Sequence, residues 1–252
     1  WEGGFLEIAI DFREAKYFDQ THLSEAVAFA QEMASSGHDI HFGPAVREND
    51  LGSARSGQDN VFWVKCLWVD IDSPDKSLTA DGKRAASKLL LDQFLERLGV
   101  YGFAPSYIIS SGHGYHVYFV IRRIHQGLDK WHAMENAIIA MARGDSQAKD
   151  PGRLLRLPGT FNFKDKDNPK AVEIVGGTGS ILDEDVFDPI VKQYGVSPAK
   201  TARLQRELKP LGSVPSCISY LLAPGTKVER GYRHLCRLVL GTFAFQEGWP
   251  LE

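Results

Sequence analysis

The stretch "VFWVKCLWVDI", residues 61–71, constrains this chain more than any other. It is apolar at almost every position and rich in Val and Trp, a composition that suits a strand covered on both faces. Such a strand lies inside a sheet, and this one carries Asp70 and Asp72 to its C-terminal end. The chain must therefore fold around a sheet whose buried middle delivers carboxylates to one edge.

Because side chains alternate along a strand, Asp70 and Asp72 point the same way with α-carbons about 6.6 Å apart. Like charges at that spacing repel unless a cation stands between them, and Mg²⁺ or Mn²⁺ accepts carboxylate oxygens readily. The letters "DIDSPD" equally describe a solvated strand end entering a turn. What favours chemistry is the segment "DPGRLLRLPGTFNFK", in which a third acid, Asp150, precedes Arg153, Arg156 and Lys164. Carboxylates that hold metal, together with cations that neutralise phosphates, are the parts phosphoryl transfer requires.

A second feature is "SSGHGYHVYF", residues 110–119, a glycine turn between two apolar runs. Gly112 and Gly114 permit positive φ and let backbone N–H groups approach an anion. His116 opens the outgoing strand and can donate to the same phosphate. His113 sits at the tip, either as a further contact or as an ordinary exposed imidazole.

Elsewhere the periodicities are plain. Leu6, Ile8 and Ile10 alternate as in a half-buried strand, and residues 39–46 read as another. Residues 22–35 are helical in period and end at Gly37, while Thr79 caps a helix that runs to Gly99. Strands are predicted over 106–110 and 115–122, then a helix carrying Leu128, Trp131, Met134, Ile138 and Met141, then a final pair of strands at "RLLRLPG" and "AVEIVGG". Strands interrupted by single helices imply an α+β fold. From about residue 195 polar residues dominate, and "CISYLL" and "YRHLCRLVLGTFAF" suggest a small all-helical segment beyond.

Composition sets limits. A length of 252 residues allows one large domain with a small appendage, and a net charge of −3 excludes a global basic field, so nucleic acid must be met by local patches. Cys66, Cys217 and Cys236 lack any C-x-x-C spacing, which argues against a disulfide framework or zinc site and for a reducing cytoplasm. No apolar run approaches the roughly 18 residues of a membrane span, and no leader precedes the first strand. Trp1 and Pro250-Leu251-Glu252 read as the bounds of an excised piece, with Leu-Glu as an addition.

The succession "WVDID", "SSGHGYHVYF", "DPGRLLRLPGTFNFK" resembles the archaeo-eukaryotic primase superfamily, specifically the primase-polymerases of plasmids, phages and other mobile elements. The resemblance spans about residues 4–190. It implies an RRM-like catalytic core of mixed β-sheets flanked by helices over residues 1–195, with a linker and helical accessory segment over 196–252. It implies template-directed nucleotidyl transfer that makes primers and extends strands on single-stranded DNA. The partners implied are a DNA template, a primer strand, ribo- or deoxynucleoside triphosphates and a helicase or similar replication module. The cofactors implied are two Mg²⁺ or Mn²⁺ ions, held by Asp70, Asp72 and Asp150, with Asp145 an alternative third acid. His116, Arg156 and Lys164 fall where the family meets the nucleotide. Gly114 stands where some relatives have serine, so Ser110 and Ser111 are the hydroxyls at hand.

Within "IHFGPAVREN", Arg47 is a candidate for nucleotide or template, or else a solvated loop arginine. In the tail, Arg230, Arg233 and Arg237 are available to phosphate, or form a wet helix face, and the tail could help seat two nucleotides without a primer. Trp63 and Phe163 are candidate stacking groups or core. Two other readings compete. A rolling-circle nicking nuclease would use two histidines around one apolar residue with a tyrosine nucleophile, but His113 and His116 are three apart across a turn. A non-catalytic origin- or single-strand-binding module would need none of these carboxylates.

Overall fold

The computed structural model describes residues 3–75, 77–125 and 128–195, apart from the side chains of 123–125 and 146–147. All belong to the first of two units, Trp1–Val196 and Ser197–Glu252. The tail arginines and the accessory segment lie outside the described residues.

The chain opens with a hairpin, β1 (Leu6–Ile10) and β2 (Glu14–Phe18), followed by helix α1 (Leu23–Ser35). Next come β3 (Ile40–Phe42), β4 (Val46–Arg47) and the long β5 (Val61–Ile71). Helix α2 (Ala80–Gly99) leads to β6 (Tyr107–Ser110) and β7 (Tyr115–His125), and helix α3 (Leu128–Ala142) to β8 (Leu155–Arg156), β9 (Thr160–Asn162) and β10 (Lys170–Gly176). Helix α4 (Asp188–Tyr194) closes the described chain. The strands form two sheets, ordered β2-β1-β3-β8 and β4-β5-β7-β6-β10-β9, and every ladder is antiparallel.

The apolar run of β5 lies between β4 and β7 in the larger sheet, as its composition requires. Val64, Leu67, Val69 and Ile71 pack with Val117, Phe119 and Ile121 of β7 against Phe94 and Leu98 of α2 and Trp131, Met134 and Ile138 of α3. Burying each such side chain contributes about 1.5–3 kcal/mol, so this layer holds the sheet. Helix α2 starts where Thr79 predicts, its hydroxyl accepting the Gly82 N–H at 3.2 Å. Helix α1 buries Ala26, Ala30 and Ala34 against Ile8, Phe18 and Ile40 of the smaller sheet. Among the described residues no helix is long and apolar enough to cross a membrane.

Two strand expectations need correction. The segment 39–46 is not one strand: Gly43 and Pro44 break it, leaving β3 in the smaller sheet and β4 in the larger. "RLLRLPG" and "AVEIVGG" are likewise not partners, since β8 pairs β3, whereas β10 lies between β6 and β9. The sheets meet where Phe5 and Arg47 exchange backbone hydrogen bonds of 2.8 Å and Phe42 faces Tyr118, ring centroids 6.2 Å apart.

Candidate active site

The register of β5 on β7 sets the site. Asp70 stands directly opposite His116, and directly opposed residues of antiparallel strands share a face. The His116 Nε2 lies 3.8 Å from Asp70 Oδ1. Burial, opposed by the Asp72 carboxylate, lowers the His116 pKa to about 4, so the imidazole is neutral at pH 7. Burial also raises the pKa of Asp70, which the Arg153 guanidinium counters and Asp145 reinforces. For Asp72 burial again leads, and the Asp70 charge adds to it. Both acids thus stand where a cation stabilises their charged forms.

These groups line a cleft of about 360 Å³ between the two sheets. The larger sheet contributes Asp70, His116 and Asn162, the smaller His41, Leu155 and Arg156. Phe12, from the β1–β2 turn, stands at the edge. Ser111, His113, Lys164 and Asp150 line the same space. The acids differ in orientation. Arg153 Nη2 bridges Asp70 Oδ2 at 3.5 Å and Asp145 Oδ2 at 3.4 Å, and the Asp145 amide donates to the Asp70 carbonyl at 3.0 Å. Asp150 lines the cleft while its Oδ1 accepts the Gly152 N–H at 2.8 Å. Asp145 is therefore the acid joined to Asp70, through Arg153.

The glycine turn works differently from its expected form. Only Gly112 adopts positive φ, at 99°. The turn closes on itself, the Ser111 N–H donating to the Gly114 carbonyl at 3.0 Å and the Gly114 N–H to Ser111 Oγ at 3.2 Å. At Gly114 a Cβ would overlap Asp72 Oδ1 and come within 2.6 Å of the Ile71 carbonyl. Gly114 is glycine because the Asp72 carboxylate occupies the room a side chain would take. Ser110 is buried, and Asn162 pins the turn by donating from Nδ2 to the Ser111 carbonyl at 2.7 Å.

Arg47, a candidate for nucleotide or template, is buried and does not line the cleft. Its side chain is 0% exposed, pairs with Glu7 through Nε at 2.8 Å, and donates to the carbonyls of Pro151 and Gly152 at 3.2 Å each. It anchors the loop between Asp150 and Arg153 from beneath. Trp63 is buried too, whereas Phe163 is half-buried with its ring 6.0 Å from the exposed Phe161. Arg156 lines the cleft but already pairs with Asp39 at 2.6 Å.

Among the cleft residues that escaped the sequence reading are His41, Asn162, Phe12 and Arg55, whose guanidinium donates to the Phe12 carbonyl at 2.8 Å. His41 is 1% exposed, its Nδ1 lacks a partner, and its ring meets Phe12 at 3.6 Å between centroids. Burial and then the Arg156 charge lower its pKa to about 3. The available signal was "IHF", where alternation sets His41 against its apolar neighbours. Phe12 holds a left-handed backbone at φ 55° and is 45% exposed, a strained placement of the kind found at ligand sites.

A divalent cation fits part of this arrangement. Among the described residues no three His, Cys, Asp or Glu side chains cluster as a complete ligand set. Mg²⁺, however, is commonly held by one or two carboxylates with the remaining positions filled by water and substrate phosphates. Asp70 and Asp72 are two hard-oxygen donors of that kind, and Arg153 already supplies positive charge beside one of them.

Comparison with known proteins bears on the fold. The archaeo-eukaryotic primase domain of the cyanophage S-2L primase-polymerase matches with a TM-score of 0.50 at 16% identity, over 75% of this chain and 89% of that one. The primase RepB′ matches at 0.51 and 15% identity, over 82% of this chain and 61% of that one. The catalytic domain of the same primase in complex with initiator DNA gives 0.51 at 16%, over 80% and 91%. The chain has the fold of archaeo-eukaryotic primase-polymerase domains. A replication protein of Clostridium perfringens is 27% identical over 112 residues, 43% of this chain but only 26% of that protein. No family model matches the sequence.

Proposed function

We propose that the chain is the catalytic part of a replication primase-polymerase, with residues 1–195 as catalytic domain and 196–252 as accessory segment. The reaction is template-directed nucleotidyl transfer, in which a 3′-hydroxyl attacks the α-phosphate of a nucleoside triphosphate. The observation that carries this reading is the opposition of Asp70 and His116 inside a cleft that also holds Asp72, Asp150, Arg153 and Lys164.

Asp70 and Asp72 would hold the divalent ions, with Asp150 as the third acid across the cleft. Bound there, Mg²⁺ or Mn²⁺ lowers the pKa of the attacking hydroxyl and offsets charge on the phosphates. The chain's own groups then position the substrate. Neutral His116 donates a ring N–H to a phosphate oxygen, while Lys164 and Arg156 offset phosphate charge. Ser111, held by Asn162, sets the turn against the triphosphate. Single-stranded DNA as template is supported by the fold shared with a primase catalytic domain in complex with initiator DNA.

The test is direct. With Mg²⁺ or Mn²⁺, single-stranded DNA and labelled nucleotides, the protein makes new or extended strands, and Asp70→Ala abolishes them. A covalent tyrosine–DNA adduct, or equal synthesis by the variant, overturns the proposal.

A further inference from the structure

The two walls of the cleft differ in polarity. Asp70, Asp72, His116 and Lys164 stand on, or just beyond, strands of the larger sheet, on the side where metal and phosphates are placed above. The apolar residues of the lining, Phe12, Leu154 and Leu155, all stand on the other wall, in the β1–β2 turn and at the start of β8. A triphosphate suits the first wall, and the less polar nucleoside suits the second.

Within that second wall one polar side chain is unused. His41 lies between Ala9 and Arg156 in the smaller sheet, directly opposite each. It is 1% exposed, and among the described residues its Nδ1 has no hydrogen-bond partner. Burial, then the Arg156 charge, keeps the ring neutral at pH 7, so it donates at one nitrogen and accepts at the other. The wall is also braced. The Phe12 ring rests on the imidazole, while Arg55 stands over that ring at 5.4 Å and donates to the Phe12 carbonyl at 2.8 Å.

Resting on the nucleotidyl transfer proposed above, we infer that His41 reads the 2′-hydroxyl of the incoming nucleotide, which makes the substrate a ribonucleoside triphosphate. Template-directed addition must accept all four bases, so a protein hydrogen bond to a base edge would bar some of them. The sugar is the part that all four share. It is joined to the α-phosphate through a single carbon, so it lies beside the groups that hold phosphate, and Arg156, one of these, stands directly opposite His41. A hydroxyl donates and accepts, as a neutral imidazole does. Deoxyribose instead carries a methylene at the 2′ position, which an apolar side chain would meet better than a buried nitrogen. Because the buried imidazole has an unpaired nitrogen, a hydroxyl that satisfies it raises affinity, and a sugar without that hydroxyl binds less well.

Two measurements on the full chain test this. In the first, one nucleotide is added with Mg²⁺ to an annealed primer opposite a template thymine, and ATP, 2′-deoxyATP and 3′-deoxyATP are compared by kcat/KM. In the parent, 2′-deoxyATP falls at least tenfold below ATP, mainly through KM, while 3′-deoxyATP stays within threefold of it. His41→Phe brings the ratio of ATP to 2′-deoxyATP to within threefold of one, and His41→Gln, whose amide still donates and accepts, restores part of the preference. In the second, calorimetric titration of the parent with the magnesium complexes of ATP and 2′-deoxyATP, without primer or template, gives the same tenfold difference in Kd. A parent without this preference, a loss that follows the 3′-hydroxyl instead, or a preference that survives in His41→Phe overturns the inference and leaves the polymerase reading intact. So does an equal loss for both nucleotides in that variant. A parent that adds none of the three nucleotides refutes the polymerase reading instead, and the titration alone then decides whether the sugar is read.

Discussion

Arg47→Met separates a buried anchor from a nucleotide contact. The guanidinium is wholly enclosed and makes three hydrogen bonds, one to Glu7 at 2.8 Å and two to the carbonyls of Pro151 and Gly152 at 3.2 Å. Methionine keeps much of the volume but leaves the Glu7 carboxylate buried, its Oε1 accepting only from the Ser56 N–H at 2.8 Å and the Tyr17 hydroxyl at 3.5 Å. Breaking a buried pair from one side costs about 3–5 kcal/mol. For a domain of this size about 1 kcal/mol moves the melting temperature by about 2–4 °C, so Tm falls by roughly 6–20 °C. Thermal melts and urea titrations read the loss. Replacing both partners, as in Glu7→Leu with Arg47→Met, leaves no unpaired charge and restores most of it. A melting temperature within a degree of the parent's, together with a severalfold rise in KM for nucleotide, would refute the anchoring role of Arg47.

Gly114→Ala forces Asp72 aside and presses on the Ile71 carbonyl, so it loses about 1–3 kcal/mol and at least tenfold in strand synthesis. Gly99→Ala, at an open position that ends α2, leaves activity unchanged and serves as the control, both read by melting and primer extension. His41 in the folded chain takes a proton only near pH 3, whereas an unfolded histidine does so near 6.5. The unfolded state therefore binds more protons between those values, so stability is full above about pH 6.5 and falls as pH drops toward 3. At about 1.4 kcal/mol per pH unit the loss reaches up to about 5 kcal/mol, and urea midpoints at pH 8, 6, 5 and 4 show a flatter slope in His41→Phe. Asp150→Asn lowers synthesis at least a hundredfold at any Mg²⁺ concentration, whereas Asp145→Asn leaves Arg153 to Asp70 alone and raises the Mg²⁺ needed without lowering the plateau. The reverse ranking in a Mg²⁺ titration would reassign the third acid.

The parts that were legible are those whose signal is local. β5 declares itself by continuous apolar residues, α1 to α3 by their period, and the start of α2 by Thr79. The parts that were not depend on a partner far along the chain. Arg47 reads as a solvated arginine until Glu7, on another strand, encloses it. β8 and β9 are two and three residues long and exist because β3 and β10 complete their hydrogen bonds. His41 reaches the cleft through the pairing of β3 with β8, which sets it opposite Arg156. Gly114 looked like a means of admitting an anion, because its need for space comes from Asp72, a residue of the neighbouring strand segment.

The core and the chemistry share one determinant, the register between β5 and β7. Leu67 opposite Phe119, Val69 opposite Val117 and Ile71 opposite Tyr115 fill the helix-covered side, and the first four are fully buried. Moving β7 by one residue would require it to turn over, taking Val117 and Phe119 out of that layer and putting His116 into it. Each displaced apolar side chain would lose about 1.5–3 kcal/mol, and the imidazole would have to enter an apolar layer. Apolar packing therefore selects, among the registers the backbone ladder allows, the one that sets Asp70 opposite His116. The positions facing α2 and α3 fix the site's geometry without taking part in it, which leaves the cleft face of both strands free to carry acids, imidazole and glycine.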